Sequence, residues 1–221
     1  MEVRVMKNIL GANDQVAAEN RAMFAEKGVY VLNLMGSPGS GKTSVLEKTM
    51  ERLKDKVRMA VIEGDLFTSK DAERIDRHGV PVIQINTAGG CHLDAPMVQQ
   101  VAPQLDLDSL DLLIVENVGN LVCPAEFAVG ENEKAVVLSI TEGADKPMKY
   151  PLIFKESAVA VLNKVDLLPY CDFDMAAAKE DILTLHPGMK VIEASCAKGE
   201  GIEEWCEWLL GRVAAVKAGA Q

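Results

Sequence analysis

The chain has 221 residues, 48% of them hydrophobic and 25% charged, which is the composition of an ordinary globular domain with one sizeable core. Its formal net charge of −10 repels phosphate backbones, and no apolar run approaches the ~20 residues that span a bilayer. The first ten residues lack the apolar core and the cleavage site of a signal peptide, and the odd number of cysteines, five, is typical of reduced thiols. We therefore predict a cytoplasmic protein with no nucleic-acid partner and no membrane partner.

The predicted elements begin with a helix over residues 8–27, where apolar side chains recur at helical spacing before Gly28. Strand-sized apolar runs follow, most of them continuous, which is the pattern of strands buried on both faces of a parallel sheet. These predicted strands cover residues 30–35, 57–62, 80–85, 110–115, 135–140, 158–162 and 190–194. Helices are predicted between them over residues 43–53, 69–78, 95–104, 174–186 and 201–217. The alternation predicts a doubly wound α/β sheet.

A phosphate-binding motif, GSPGSGKT at residues 36–43, follows the first predicted strand and opens a helix. Its glycines let backbone N–H groups turn toward phosphate oxygens, and the helix N-terminus adds partial positive charge. Lys42 is predicted to bridge the β- and γ-phosphates and Thr43 to ligate Mg²⁺. The predicted nucleotide-contacting residues of this loop are Gly36, Gly39, Ser40, Gly41, Lys42, Thr43 and Ser44. The motif refines the fold class to a three-layer P-loop NTPase with a mostly parallel central sheet of about seven strands.

A second motif, NKVD at residues 163–166, follows a later predicted strand and indicates guanine. The Asp166 carboxylate can accept two hydrogen bonds from the N1 and N2 edge of guanine, which adenine does not present. Asn163 and Lys164 complete the motif. Ser195 and Ala197, in the strand-end segment SCAK, resemble the other guanine-contacting loop of GTPases. The motif argues against a P-loop kinase, which needs no guanine selectivity.

Acidic residues at two strand ends are the candidates for hydrolysis chemistry. The D-x-x-G motif of most GTPases is replaced by ENVG, which begins at Glu116, and Asp65 stands at the end of the predicted strand over residues 57–62. A carboxylate near the γ-phosphate can bind Mg²⁺ or position the attacking water, so Lys42, Asp65 and Glu116 form the predicted catalytic set, with Thr43 and Asp65 as magnesium ligands. No glutamine stands in an obvious water-positioning place, and we therefore predict slow intrinsic hydrolysis.

Three soft ligands stand in two loops that follow strands: Cys91 and His92 in GGCHLD, and Cys123 in NLVCP. Strand ends of a parallel sheet gather at one edge, so these loops can meet near the nucleotide. Two thiolates and an imidazole suit Ni²⁺ or Zn²⁺, and a symmetric dimer can complete a three-ligand site. Ordinary loop thiols and a helix-capping imidazole remain an equally good interpretation of the spacing. The other cysteines are predicted to be structural; they are Cys171, Cys196 and Cys206.

From Gly28 onward the chain resembles HypB, the hydrogenase nickel-incorporation GTPases. The resemblance rests on NLMGSPGSGKTS, GDLFTSKDAERI, GGCHLD, ENVGNLVCPAEF, TEGADKPMKYP and NKVDLLP. It implies a nickel site at Cys91, His92 and Cys123, with zinc as an alternative occupant, and GTP-promoted homodimers in which Lys149 reaches the partner's nucleotide pocket. It also implies a second nickel accessory protein and the hydrogenase large subunit as partners. We divide the chain into an N-terminal helical extension, residues 1–27, and a P-loop GTPase domain with embedded metal-binding loops, residues 28–221.

Two alternative functions remain. A urease-type nickel-delivery GTPase would present Cys-Pro-His, whereas Ala125 follows Cys123 and Pro124 here. A GTP-binding assembly factor would use the same cysteines for a structural zinc. Since Glu116 and Cys123 are seven residues apart in one loop, we predict that GTP binding and metal binding are coupled reciprocally.

Overall fold

The computed structural model describes residues 9–65 and 70–219. Its strands are β1 (Tyr30–Gly36), β2 (Met59–Asp65), β3 (Val82–Asn86), β4 (Leu112–Glu116), β5 (Glu133–Ser139), β6 (Ser157–Asn163) and β7 (Lys190–Ala194). They form one sheet in the order β3-β2-β4-β1-β5-β6-β7, and each neighbouring pair is parallel. The predicted fold class and number of strands are confirmed, and among the described residues the sheet is parallel throughout.

The helices lie on both faces of this sheet. They are α1 (Ile9–Glu26), α2 (Lys42–Leu53), α3 (Lys70–Asp76), α4 (Ala95–Val101), α5 (Cys123–Glu126), α6 (Lys146–Lys149), α7 (Pro151–Glu156), α8 (Met175–Leu185) and α9 (Ile202–Gly219). Sequence periodicity did not predict α5, α6 and α7, because helices of four to six residues are too short to show a repeat. Ser69, the first residue of the helix predicted over residues 69–78, lies outside the described residues.

The hydrophobic core consists of two layers, one on each side of the sheet. On one side α2 and α9 pack against the strands, and Trp205 of α9 is fully buried and donates a 2.8 Å hydrogen bond to Thr49 Oγ1 of α2. On the other side α1 and α4 cover part of the sheet, and α7 and α8 cover the rest. Continuous apolar strands suit this arrangement because both of their faces are covered.

The first helix packs tightly on the second of these layers. Phe24 of α1 is 1% exposed and belongs to the core under α4, and Asn20 is fully buried. The helix therefore contributes to the same core as the sheet. The division of the chain after residue 27 stays a prediction.

All seven strands run in one direction, so their carboxyl ends share one edge of the sheet. The loops that follow β1, β2, β4, β6 and β7 lie at this edge, where open α/β sheets bind ligands. No helix in residues 9–65 and 70–219 is long and apolar enough to cross a membrane.

Candidate functional site

The phosphate loop joins β1 to α2 and lines a cavity of about 390 Å³. Lys42 Nζ donates hydrogen bonds to the carbonyl oxygens of Gly36 and Ser37, at 3.2 and 3.4 Å, which holds the ammonium group inside the loop. Burial lowers the pKa of Lys42, although nearby carboxylates oppose the shift. At Gly41 the backbone φ is +99°, and a Cβ would lie 2.3 Å from Asn163 Nδ2, so only glycine fits there.

The other predicted residues of the loop take different places. Gly39 and Thr43 line the cavity, and Ser44 lines it together with a second cavity of about 400 Å³. Ser40 is fully buried, and its Oγ has no hydrogen-bond partner among the described residues. The loop therefore presents a pre-formed cradle of the kind that surrounds nucleotide phosphates.

Acidic side chains from β2, β4 and α3 form one wall of the phosphate cavity. The Thr43 hydroxyl donates a 2.8 Å hydrogen bond to Glu116 Oε1, and Glu63 lies beside Glu116 in the register of β2 and β4. Carboxylate oxygens of Glu63, Asp65 and Asp71 lie within 4.8 Å of one another. The structure thus gathers the predicted Thr43, Asp65 and Glu116 in one cavity and adds two acids that the sequence analysis missed.

Burial shifts the pKa of two of these acids strongly. For Glu63, burial and then the charges of Glu116 and Asp65 raise the pKa to about 8. For Glu116, burial raises the pKa to about 7 against the opposing charge of Lys42. Glu63 and Glu116 therefore carry less negative charge at neutral pH than ordinary carboxylates do.

The wall suits a hard divalent cation. Glu63 Oε2 and Glu116 Oε2 are buried with no hydrogen-bond partner in residues 9–65 and 70–219. Carboxylate and hydroxyl oxygens are the ligands that Mg²⁺ prefers, and a cation would satisfy both orphaned atoms. The residues present therefore fit Mg²⁺.

A further cavity residue, Arg74 of α3, was also missed by the sequence analysis. Its guanidinium group forms a two-armed contact with the Glu47 carboxylate, with Nε 3.1 Å from Oε1 and Nη2 2.5 Å from Oε2. Nη1 lies 3.0 Å from Asp71, and Nη2 lies 3.2 Å from Ser44 Oγ. Of the missed residues, Glu63 had a signal in the sequence, since it stands two positions before Asp65 and so shares its strand face.

The second cavity lies between the phosphate loop and the NKVD segment. Asn163 Nδ2 donates a 3.0 Å hydrogen bond to the Ser40 carbonyl oxygen, and Lys164 Nζ donates one of 2.7 Å to the Gly39 carbonyl oxygen. Asp166 lines the cavity. These bonds fix the distance between the predicted base-binding and phosphate-binding segments.

The loop after β7 supports Asp166. Ser195 Oγ donates a 2.6 Å hydrogen bond to Asp166 Oδ1, which orients the carboxylate. Ala197 and Cys196 line the same cavity. Cys196, predicted to be structural, therefore borders the candidate base site, although burial raises its thiol pKa to about 11.

The predicted metal ligands come together in the structure. Cys91 Sγ lies 2.8 Å from Cys123 Sγ and 3.4 Å from His92 Nδ1. The His92 ring stacks on Phe127, with centroids 3.9 Å apart, and burial lowers its pKa, so the neutral, metal-binding imidazole is favoured. Two thiols and one imidazole fit a soft or borderline metal such as nickel or zinc.

A buried asparagine connects the loops of the two sites. Asn117 follows Glu116 directly, and its Oδ1 accepts hydrogen bonds from the backbone N–H groups of Leu93 and Val118, at 2.9 and 3.0 Å. Its Nδ2 donates a 3.1 Å hydrogen bond to Asn33 Oδ1 in β1. Because Leu93 follows His92, the strand end that carries Glu116 is bonded to the loop that carries Cys91 and His92.

Lys149, a predicted nucleotide contact, lines neither cavity. Its Nζ pairs with the Asp145 carboxylate on the same exposed turn. The contact of Lys149 with a partner's nucleotide stays a prediction.

The family model for the nucleotide-binding domain of CobW/HypB/UreG proteins matches residues 30–193. The chain belongs to this family. Hydrogenase maturation factor HypB of Escherichia coli K12 is 50% identical over 209 residues, which cover 95% of this chain and 71% of that protein. The resemblance to HypB is therefore confirmed.

Solved HypB structures share the fold. HypB from Archaeoglobus fulgidus has a TM-score of 0.86 at 39% identity, covering 92% of this chain and 100% of the other. HypB from Helicobacter pylori, solved in complex with nickel, has a TM-score of 0.86 at 36% identity, covering 92% of this chain and 96% of the other. The solved HypB structures thus support both the family assignment and the P-loop NTPase fold. The roles of single residues stay predictions.

Proposed function

We propose that this HypB-family protein is a GTP-hydrolysing nickel metallochaperone that helps to insert nickel into NiFe-hydrogenase. The observation that carries the proposal is the contact between two sites at one sheet edge. A phosphate cavity walled by Glu116 and a Cys-His-Cys cluster are joined through the hydrogen bond from Leu93 to Asn117. The nickel complex of the Helicobacter pylori relative supports nickel as the cargo.

GTP is the substrate of the nucleotide site. Asp166, oriented by Ser195, would accept the two N–H groups at the edge of guanine, and Lys42 would bind the β- and γ-phosphate oxygens. Thr43 and Asp65, with Glu63 and Glu116 beside them, would hold Mg²⁺, which neutralises charge on the phosphates.

Hydrolysis should be slow. Asp65 and Glu116 are the candidates for orienting the attacking water. Neither is a glutamine of the kind that orients the attacking water in other P-loop GTPases, and Glu116 is engaged by the Thr43 hydroxyl. A single-turnover rate above a few per second would contradict this part of the proposal. Slow turnover suits a timer that holds one conformation for the duration of a delivery step.

Nickel is carried rather than kept. Cys91, His92 and Cys123 offer three ligands, which leaves the coordination sphere incomplete, and a second copy would supply the remaining ligands in a GTP-promoted homodimer. Zn²⁺ is the alternative occupant. A second nickel accessory protein and the hydrogenase large subunit are the proposed partners, and the cytoplasm is the proposed compartment.

The two sites would be coupled through Asn117. GTP binding would shift the end of β4 at Glu116. The Asn117 side chain would transmit this shift to the backbone of Leu93, next to His92. Metal and nucleotide affinities would then change each other by the same factor.

The test is a titration of the purified protein with Ni²⁺ and Zn²⁺, first with GDP and then with a non-hydrolysable GTP analogue, while dimerisation is followed at each step. Cys91→Ala serves as the control for the metal site, and Asn117→Ala for the link. We expect metal affinity and dimerisation to depend on the nucleotide, to be lost in Cys91→Ala, and to become independent of the nucleotide in Asn117→Ala. Equal metal affinity in both nucleotide states of the wild type would contradict the coupling.

A further inference from the structure

Two buried asparagines on α1 lie against the segments that carry the metal ligands. Asn13 is 6% exposed and Asn20 is fully buried, although both belong to a helix whose outer face is exposed to solvent. Neither side chain belongs to the nucleotide cavities or to the metal cluster. Burying an amide is unfavourable unless it is hydrogen-bonded, so the bonds of these two side chains are informative.

Asn13 bridges the two segments. Its Oδ1 accepts a 2.9 Å hydrogen bond from the backbone N–H of Ala95, three residues after His92. Its Nδ2 donates a 2.9 Å hydrogen bond to the carbonyl oxygen of Ala128, five residues after Cys123. One planar amide therefore fixes the distance between the Cys91-His92 segment and the Cys123 segment.

Asn20, two turns further along α1, repeats the bridge. Its Nδ2 donates to the carbonyl oxygens of Ala95, at 2.9 Å, and Val129, at 3.0 Å. Gly130 makes the approach possible, because a Cβ at Gly130 would lie 2.4 Å from the Cβ of Asn20. The close packing and the second bridge show that α1 is hydrogen-bonded to both segments over two helical turns.

Other bonds restrain the same segments from the sheet side. Leu93 is bonded to Asn117, and the Ala125 carbonyl oxygen accepts a 2.8 Å hydrogen bond from Lys134 Nζ of β5. The first of these bonds also joins the two segments, since Asn117 lies six residues before Cys123 in the same loop. The bridges from α1 join the segments a second time, beyond the metal ligands.

We propose that Asn13 and Asn20 are positioning residues of the metal site, which hold Cys91 and Cys123 at the separation that lets both bind one ion. The proposal rests on the proposed nickel function for its biological meaning, whereas the positioning of the two thiols can be tested without metal. Groups that orient metal ligands from outside the coordination sphere typically change metal affinity by about 10- to 100-fold.

The first test uses the double variant Asn13→Ala/Asn20→Ala in the full chain and both single variants. Ni²⁺ binding is followed by the thiolate-to-nickel charge-transfer absorption. We expect the double variant to bind Ni²⁺ about 10- to 100-fold more weakly, with a changed charge-transfer band, and each single variant to show a smaller effect in the same direction.

The second test needs no metal. Diamide oxidises two neighbouring thiols to a disulfide, taking two electrons and two protons and becoming the hydrazine. The Cys91–Cys123 disulfide is then quantified over time by peptide mapping. Since the two sulfur atoms lie 2.8 Å apart in the wild type, closure should be fast, and it should be several-fold slower in the double variant.

Thr49→Val is the matched control, because it also removes a buried side-chain hydrogen bond, from Trp205, but on the opposite face of the sheet. It should leave both readouts at wild-type values. Wild-type closure rates in the asparagine variants, or equal losses in Thr49→Val, would overturn the positioning role.

Two remaining outcomes are also decisive. If the wild type showed no Cys91-dependent Ni²⁺ binding while disulfide closure still depended on Asn13 and Asn20, the nickel function would fail and the positioning of the thiols would stand. If the double variant did not fold, the single variants would carry both tests, and wild-type behaviour in both of them would overturn the proposal.

Discussion

The phosphate cavity and the cluster of Cys91, His92 and Cys123 lie at the same edge of one sheet, but they are built differently. In the phosphate cavity, Lys42 is 8% exposed and Glu116 is 4% exposed, and both are held by hydrogen bonds inside the core. In the metal cluster Cys91 is exposed and Cys123 is half-buried, and both stand outside the strands. The first site takes its geometry from the sheet, whereas the second depends on side chains that join distant segments.

The largest effect should follow from removing the buried ammonium group of the phosphate cavity. Lys42→Ala should weaken GTP binding by about 1,000-fold, because deleting one partner of a buried, hydrogen-bonded charge pair costs on the order of 2–5 kcal/mol. Isothermal titration with GTP and Mg²⁺ measures the change. Lys54→Ala, an exposed lysine at the end of the same helix, is the control, and a loss below tenfold in Lys42→Ala would place the phosphates elsewhere.

The next effect tests the base pocket. Asp166→Asn should weaken GTP binding by about 100-fold, because the amide places an N–H group against the N–H groups of guanine. Xanthosine triphosphate, which presents a carbonyl oxygen at position 2, should gain affinity. Competition between the two nucleotides measures the change, and unaltered preference would show that Asp166 does not contact the base.

The difference between the two sites also explains how far the sequence could predict them. The phosphate loop is a local motif of eight residues, so GSPGSGKT located it, and continuous apolar runs gave the sheet. The sequence analysis missed Glu63 because its place depends on the register of β2 against β4. It missed Asp71 because that residue lines the cavity only where α3 folds back toward it. No linear motif shows either dependence, although the two-residue spacing from Asp65 indicates that Glu63 shares its strand face.

The metal cluster was harder to predict, because its ligands are 32 residues apart and no spacing rule joins Cys91 to Cys123. A resemblance supplied what the spacing left open. The contribution of α1 was not predictable, since Asn13 and Asn20 read as polar residues on a surface helix. Their burial arises from partners that lie 75 to 115 residues away along the chain.

A third prediction concerns the electrostatics of the buried edge. The pKa of Glu63 is raised from 4.5 to about 8 in the folded protein, so between these values the folded state keeps a proton that the unfolded chain releases. The free energy of unfolding of the metal-free and nucleotide-free protein should therefore fall as pH rises from 5 to 8. Glu63→Gln should reduce this slope and stabilise the protein at pH 8 by on the order of 2 kcal/mol.

Urea unfolding at pH 5, 6.5 and 8 measures this effect. Glu207→Gln, an exposed change on α9, is the control and should keep the wild-type slope. Some slope should remain in Glu63→Gln, because burial also raises the pKa of Glu116, to about 7. A slope unaffected by Glu63→Gln would show that the carboxyl group is ionised in the folded protein.

The smallest effect separates a transfer site from a structural zinc staple. Because Cys91 is exposed, Cys91→Ser should change the free energy of unfolding of the metal-free protein by less than about 0.5 kcal/mol. Zn²⁺ at 100 times its dissociation constant should stabilise the wild type by about 2.7 kcal/mol and the variant by much less. A structural zinc staple predicts instead that the wild type unfolds once a chelator removes the metal. The transfer site is favoured by the packing, since the strands and helices that flank Cys91 and Cys123 are held by the core and by the hydrogen bonds of Asn13, Asn20 and Asn117.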